Sequence, residues 1–198
     1  MKAPSSKLIG IFSLVIMSLL VTSPGITQSK FQSESVNIQL AGTSSIHDWT
    51  ETSDKGTGNA VFAVNSNDKV ISLSAMSFTL AAVSLKSGHK AMDKNTYKAL
   101  KTDAHPNISF VLTSAKITPL EDDNYEIKCN GKLTIAGATN NTEITGTGKY
   151  NRAEKSFTVK GTKKMKMTDY QVKPPTVMLG AIKTGNDITI SYAIKFVK

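Results

Sequence analysis

Apolar and polar residues alternate one by one over long stretches of this chain, and this pattern constrains the fold more than any other feature. Between Tyr125 and Ile135 the odd positions are apolar or small, whereas the even positions are polar. Because successive side chains of a β-strand point to opposite faces, such alternation predicts a strand with one buried face. The pattern recurs at residues 36–40, 108–112 and 188–196. The sequence therefore predicts a domain that is nearly all antiparallel strand.

Two interruptions of the pattern are informative. Between Ile71 and Leu80 the apolar positions change from odd to even, which predicts a β-bulge or a sharp bend. Residues 91–102 (AMDKNTYKALKT) consist instead of good helix formers, so we expect a short helix that ends before Pro106. Turn sequences such as EDDN at residues 121–124 separate the strands at spacings typical of antiparallel meanders.

Many antiparallel strands with one apolar face, together with a single helix, indicate either a β-sandwich or a closed β-barrel. A membrane-spanning barrel would alternate in the same way, but aromatic residues make up only 7 % of this chain, no aromatic girdles are visible and a helical insert interrupts the strands. The apolar faces are therefore expected to point inward. The interior of a barrel of about eight strands is filled by its own side chains or holds one slender ligand.

The N-terminus predicts export. Lys2 and Lys7 precede an uncharged apolar run at residues 8–21, which is too short for an ordinary membrane span and has the length of a signal-peptide core. Cleavage is expected between Ser23 and Gln28, with an uncleaved anchor as the alternative. We therefore divide the chain into a signal peptide (residues 1–25) and a barrel domain (residues 26–198), and expect a periplasmic protein, or else a secreted one.

The mature chain is basic. Once Lys2 and Lys7 are removed with the first 25 residues, 22 Lys and Arg remain against 15 Asp and Glu, a net charge of +7. Such a charge is typical of proteins that bind nucleic acid or an anionic membrane surface, or it serves solubility alone; export argues against nucleic acid. The single cysteine, Cys129, permits no intrachain disulfide. Its place in the alternation predicts a buried, unreactive thiol.

Four segments carry a resemblance to a known family. They are GTSSIHDWT at residues 42–50, the helix-and-strand block at residues 84–118, GKLTIAGATNNTEITG at residues 131–146 and MLGAIKTGNDITISYAIKF at residues 178–196. Together they resemble the YceI-like proteins from about Val36 to the C-terminus. The Arg-Asp pair common before the helix in that family appears here as Ala91-Met92-Asp93, so only the acid is carried over, to Asp93.

The resemblance implies a lipocalin-like antiparallel barrel without catalysis, which holds the chain of an isoprenoid lipid, a polyprenyl phosphate or an isoprenoid quinone, in an internal apolar channel. No cofactor other than this lipid is implied. Such a ligand needs apolar walls and few polar contacts, because each buried CH₂ contributes about 0.8 kcal/mol. The residues expected to line the channel are Phe62, Phe78, Leu80, Phe110, Leu112, Leu133, Ile135, Met165, Ile188 and Ile190. The alternative is that these side chains fill a dry core.

The segment KGTKKMKM at residues 160–167 offers candidates for contact with a head group. Its methionines alternate with lysines, which we expect on the solvent face of the strand. Lys163 or Lys164 near a barrel mouth is a candidate to meet a phosphate head group or an anionic membrane. A solvated strand face is the alternative.

A catalytic or metal site is disfavoured. The possible ligands or acid–base groups are His47, Asp48, His89, Asp93 and His105, and their spacing matches no ligand motif. Trp49, which follows His47 and Asp48, is expected to cover a barrel end. The competing function is a cell-envelope stress or interaction protein, whose barrel is filled by its own side chains and whose basic surface binds a partner. The sequence leaves the oligomeric state open.

Overall fold

The computed structural model describes residues 26–198, so the expected signal peptide lies outside the described residues. Ten strands and one α-helix follow along the chain. They are β1 (Thr27–Ser44), β2 (Asp48–Ser53), β3 (Thr57–Val64), β4 (Val70–Ala81), α1 (Lys90–Leu100), β5 (Asn107–Pro119), β6 (Asn124–Ile135), β7 (Ala138–Asn151), β8 (Ser156–Lys166), β9 (Thr176–Val177) and β10 (Ile182–Val197). Among residues 26–198, no helix is long and apolar enough to span a membrane.

Eight of the strands close into a barrel. Every pairing is antiparallel, and the order around the wall is β1, β3, β4, β5, β6, β7, β8 and β10, with β10 returning to β1. The long strand β1 makes the closure possible, because its first part pairs with β3 and most of the rest pairs with β10. Strand β2 extends the sheet beside residues 38–43 of β1. Strand β9 adds a short pairing to β10. The predicted eight-stranded, lipocalin-like barrel with one helical insert is confirmed.

The alternation in sequence becomes the inside and outside of the wall. In β6 the side chains of Tyr125, Ile127 and Cys129 are buried, whereas those of Glu126 and Lys128 are exposed. Full burial of one such apolar side chain contributes about 1.5–3 kcal/mol. A slip of one residue in register would turn every one of these side chains outward, so the pattern also specifies the register.

The predicted irregularity in β4 is confirmed as two bulges. Against β3, the register skips once between the partners of Val61 and Phe62 and again between those of Ala63 and Val64. The extra residues are Ile71 and Ser74, whose side chains are exposed. Each extra residue changes which positions of the strand, odd or even, face inward. The apolar side chains before and after the bulges therefore all point into the barrel.

The predicted helix is also confirmed and lies at one end of the barrel. It begins after His89 and ends at Lys101, which adopts a left-handed conformation. The Tyr97 hydroxyl lies 2.9 Å from the carbonyl oxygens of both Val83 and Leu85 and shares its single proton between them. These bonds hold α1 against the segment that leaves β4.

Aromatic rings close the opposite end of the barrel. The ring of Phe62 lies 5.2 Å from that of Phe31, 4.7 Å from that of Phe157 and 6.3 Å from that of Phe196, measured between centroids. We call these four residues the aromatic floor. Tyr125 extends it, and its hydroxyl accepts a hydrogen bond from the Val70 amide at 3.1 Å. The barrel is therefore closed at one end by packed rings and covered at the other by α1.

Candidate ligand channel

An apolar cavity occupies the barrel above the aromatic floor. Its volume is about 170 Å³, and its wall is almost entirely carbon. Inward residues of β1, β4, β5, β6, β8 and β10 line it, with Phe62 and Phe196 at its base. The interior is therefore not filled by the side chains of the barrel, contrary to the filled-barrel alternative.

A second cavity lies at the covered end and has a volume of about 420 Å³. We call it the mouth cavity. Met92, Ala99 and Leu100 of α1 form one side, and Val172 with the segment before β10 forms another. Trp49 also lines it, with its indole nitrogen donating to the Thr43 carbonyl at 2.9 Å, so the expectation that Trp49 covers a barrel end is met.

The inner cavity and the mouth cavity adjoin, and we call the two together the channel. Five side chains line both cavities and define what we call the neck: Leu40, Leu100, Ile135, Met165 and Ile188. The neck is apolar throughout. A flexible chain that reaches the neck therefore meets an almost entirely carbon wall from there to the floor.

The structure places nine of the ten expected lining residues around the inner cavity. They are Phe62, Phe78, Leu80, Phe110, Leu133, Ile135, Met165, Ile188 and Ile190. Phe62 has a double role, since it is only 1 % exposed and also forms the aromatic floor.

Leu112 is the exception and corrects the sequence-based expectation. It lines neither of the two cavities. The last pair between β4 and β5 joins Ser77 to Val111, and β5 then bulges at Thr113 where it pairs with β6. Beyond Val111 the strand leaves the cavity wall, and Leu112 packs partly buried against the core.

The two candidate lysines lie on opposite faces of β8. Lys164 is exposed on the outside, whereas Lys163 pairs with Ile190 and is half-buried on the inward face. Lys163 lines the inner cavity, below the mouth rather than at it. Of the two residues, only Lys163 reaches the channel interior.

The sequence reasoning missed several lining residues that the same alternation could have identified. Ile127 and Cys129 of β6, Ile144 of β7 and Tyr192 of β10 all border the inner cavity. Burial raises the pKa of the Cys129 thiol to about 11 and that of Tyr192 to about 12. The predicted burial of Cys129 is confirmed, and its high pKa leaves little reactive thiolate at neutral pH.

One buried carboxyl group links the barrel to α1. Glu51 of β2 is 0 % exposed; its Oε1 accepts a hydrogen bond from the Thr96 hydroxyl at 2.5 Å, and its Oε2 has no partner among the described residues. Desolvation raises the pKa of Glu51. Asp93, the acid carried over from the family resemblance, accepts bonds from the Ser87 amide at 2.8 Å and the Ser87 hydroxyl at 2.6 Å. It therefore holds the start of α1 to the preceding loop.

The histidines and acids considered for catalysis do not converge. Within residues 26–198, no cluster of three or more His, Cys, Asp or Glu side chains could hold a metal ion. The His47 ring lies 2.7 Å from the Asp48 carbonyl, and His89 precedes α1. His105 packs on the turn between β6 and β7, where a Cβ added to Gly137 would lie 2.5 Å from its ring.

A closed antiparallel barrel with an internal apolar cavity defines the class of small lipocalin-like barrels. Residues 27–196 match the model of the YceI-like domain. The chain belongs to the YceI-like domain family, as the resemblance had implied.

Solved structures of low sequence identity share this fold. The Burkholderia cenocepacia protein BcnA aligns with 17 % identity and a TM-score of 0.63 over 81 % of this chain and 95 % of its own. A polyisoprenoid binding domain from Saccharophagus degradans, implicated in plant cell wall breakdown, aligns with 9 % identity and a TM-score of 0.62 over 84 % and 97 %. The Campylobacter jejuni YceI protein aligns with 16 % identity and a TM-score of 0.53 over 73 % and 84 %. No curated protein matches the sequence significantly.

Proposed function

We propose that this protein binds and carries a long-chain isoprenoid lipid, with the tail held in the channel, and that it acts by binding rather than by catalysis. The observation that carries the proposal is the apolar inner cavity, which lies above the aromatic floor and adjoins the mouth cavity at the neck. A polyisoprenoid binding domain of the same fold supports it. Each CH₂ that leaves water for such a wall contributes about 0.8 kcal/mol, so affinity needs no dense set of polar contacts.

Native mass spectrometry of the purified protein tests this proposal. We expect a co-purifying lipid at about one molecule per chain, and organic extraction should identify a prenyl tail. The protein would then be incubated, after delipidation, with an isoprenoid quinone and with a polyprenyl phosphate. An apo mass that persists under both conditions would contradict lipid carriage and favour the competing interaction protein, which binds a partner through its basic surface.

Export is part of the same proposal. The apolar run at residues 8–21 after Lys2 and Lys7 supports a periplasmic location, with secretion as the alternative. A lipid carrier outside the cytoplasm must exchange its ligand with a membrane, since isoprenoid lipids reside there.

Exposed apolar side chains at the mouth support contact with that membrane. Ile46 is 61 % exposed, Met178 is 73 % exposed and Leu179 is fully exposed. Met178 and Leu179 both have left-handed φ angles, 51° and 54°, which cost bulky residues roughly 1–2 kcal/mol each. Backbone strain of this kind persists at functional sites. Here it exposes two apolar side chains to water, which is consistent with a binding partner for them. Lys173 and Lys183 are also exposed in this region, which suits an anionic bilayer surface.

A Leu179→Ser variant is expected to bind vesicles containing anionic phospholipid about 10-fold more weakly, because insertion of one leucine contributes roughly 1.5–3 kcal/mol. Vesicle co-sedimentation at low salt measures the loss of vesicle binding. The same measurement at high salt gives the electrostatic contribution of the exposed lysines to that binding. Val111→Ser is the matched control, since Val111 is 54 % exposed but lies on β5. Equal binding by both variants and the parent protein would contradict insertion of this loop.

A further inference from the structure

The barrel wall has an opening on its side. Strands β7 and β8 pair only from Asn151 with Ser156 to Gly146 with Gly161. Beyond the pair of Gly146 with Gly161, residues 138–145 of β7 pair only with β6. Residues 162–166 of β8 pair only with β10. We call the gap between these two segments the side window.

Specific residues hold the side window open. The Tyr192 hydroxyl donates to the Thr145 carbonyl at 2.8 Å, at the point where the ladder between β7 and β8 ends. A Cβ on Gly161 would overlap that hydroxyl oxygen, and one on Gly146 would lie 2.9 Å from it. The two glycines therefore make room for a side chain that satisfies a strand carbonyl in place of the missing neighbour strand.

The side window lies between the inner cavity and the outer surface. A surface cavity of about 450 Å³ lies over it, lined by residues of β7, β8 and the turn after β8. Lys163 and Met165 line both this cavity and the inner one. Met165 also belongs to the neck, so the side window lies at the level where the inner and mouth cavities meet.

Polar groups gather at the side window, whereas the wall of the inner cavity is almost entirely carbon. Asn140 and Thr142 of β7 line the surface cavity together with Tyr170. The Asn140 amide donates to the Asp169 carbonyl at 2.5 Å. This bond fixes the upper edge of the side window.

Lys163 is the cation at this point. It is half-buried and makes no ion pair or side-chain hydrogen bond with any of residues 26–198. The acid beside it, Asp169, lies more than 4.0 Å away and accepts a hydrogen bond from the Lys166 amide at 3.0 Å. Because the wall of the inner cavity is almost entirely carbon although Lys163 lines it, the lysine contributes its methylene stem there, and its ammonium group is left to bind an anion at the surface cavity.

We infer that the side window is the head-group site for a phosphate-bearing prenyl lipid, with the phosphate bound by Lys163 and the tail in the channel. The inference rests on the proposed lipid binding and adds the place and the chemistry of the head group. From the side window the tail finds apolar space in both directions, in the inner cavity and in the mouth cavity beyond the neck. A charge-assisted bond from Lys163 favours a phosphate over a neutral hydroxyl or quinone.

The test compares a prenyl monophosphate with the prenyl alcohol of the same tail. The parent protein is expected to bind the phosphate about 10-fold more tightly, because the charge-assisted hydrogen bond from Lys163 forms with the phosphate alone. Lys163→Met should abolish this preference, and Lys163→Arg should largely retain it. Lys160→Met, on the outer face of the same strand and away from the surface cavity, is the matched control and should keep the preference of the parent protein.

Other outcomes would overturn the inference in distinguishable ways. Equal binding of both lipids by the parent protein removes the head-group site but leaves lipid carriage intact, whereas binding of neither removes both. A greater loss of phosphate preference in Lys166→Met than in Lys163→Met moves the head group to the mouth cavity, which Lys166 lines. Displacement of the prenyl phosphate by inorganic phosphate at equal concentration would identify a site for the free anion instead.

Discussion

A Met165→Trp variant is expected to bind a long isoprenoid lipid about 100-fold more weakly than the parent protein. Met165 lines the inner cavity, the mouth cavity and the cavity over the side window, so an indole at this position obstructs all three. Displacing roughly four methylene groups from the wall costs about 3 kcal/mol, which corresponds to this factor. A fluorescent prenyl probe titrated into the delipidated protein measures the affinity.

Thr162→Trp is the matched control for the Met165→Trp variant. Thr162 lies on the same strand as Met165 but is exposed on its outer face. The two variants receive the same new side chain, so any general effect of a tryptophan in β8 appears in both. Because the indole introduced by Met165→Trp would occupy existing empty space, stability should change little in either variant. Unchanged lipid affinity in Met165→Trp would contradict a binding channel that passes the neck.

A Phe62→Ala variant is expected to lose about 3–5 kcal/mol of the free energy of unfolding, the range for a buried phenylalanine that leaves a cavity. Phe62 is the centre of the aromatic floor and packs against Phe31, Phe157 and Phe196. Its removal deletes three ring contacts as well as its own burial. Urea denaturation followed by circular dichroism measures the loss.

Phe78→Ala provides the comparison for the floor. Phe78 lines the same cavity but is half-buried, so its side chain already borders empty space and leaves a smaller new void. We expect a cost of about 1–2 kcal/mol for this variant. Equal costs at the two positions would mean that the floor is no better packed than the wall, and would contradict a closed end.

Local patterns in the sequence were sufficient for the strands and the helix. The alternation from Tyr125 to Ile135 indicated both a strand and its inward face, and the change of phase after Ile71 indicated the bulges of β4. Both features depend on the two-residue period of the strand backbone, which neighbouring residues reveal. The helical insert was equally local, because helix formers replace the alternation there.

Leu112 and Lys163 show where local patterns fail. Leu112 lies at an inward position of the alternation, but β5 separates from β4 after Val111. No residue near Leu112 predicts that separation. Lys163 shares the inward face of Met165, yet its position at the side window follows from the place where β7 stops pairing with β8. That limit is marked by Gly146, Gly161 and Tyr192, which lie far apart in the chain.

The sequence by itself therefore determined the all-β class, the inward face of most strands, the helical insert and the family. The first three follow from residues close together in the chain, because backbone periodicity and turn chemistry act over a few positions. The family follows from the resemblance of four segments to the YceI-like proteins. Only the tertiary structure decided that the barrel is hollow, that aromatic rings close one end and that the wall opens at its side. Those properties depend on the volumes of inward side chains and on the pairing of strands that are distant in sequence. The closure of β10 on β1 brings these strands together.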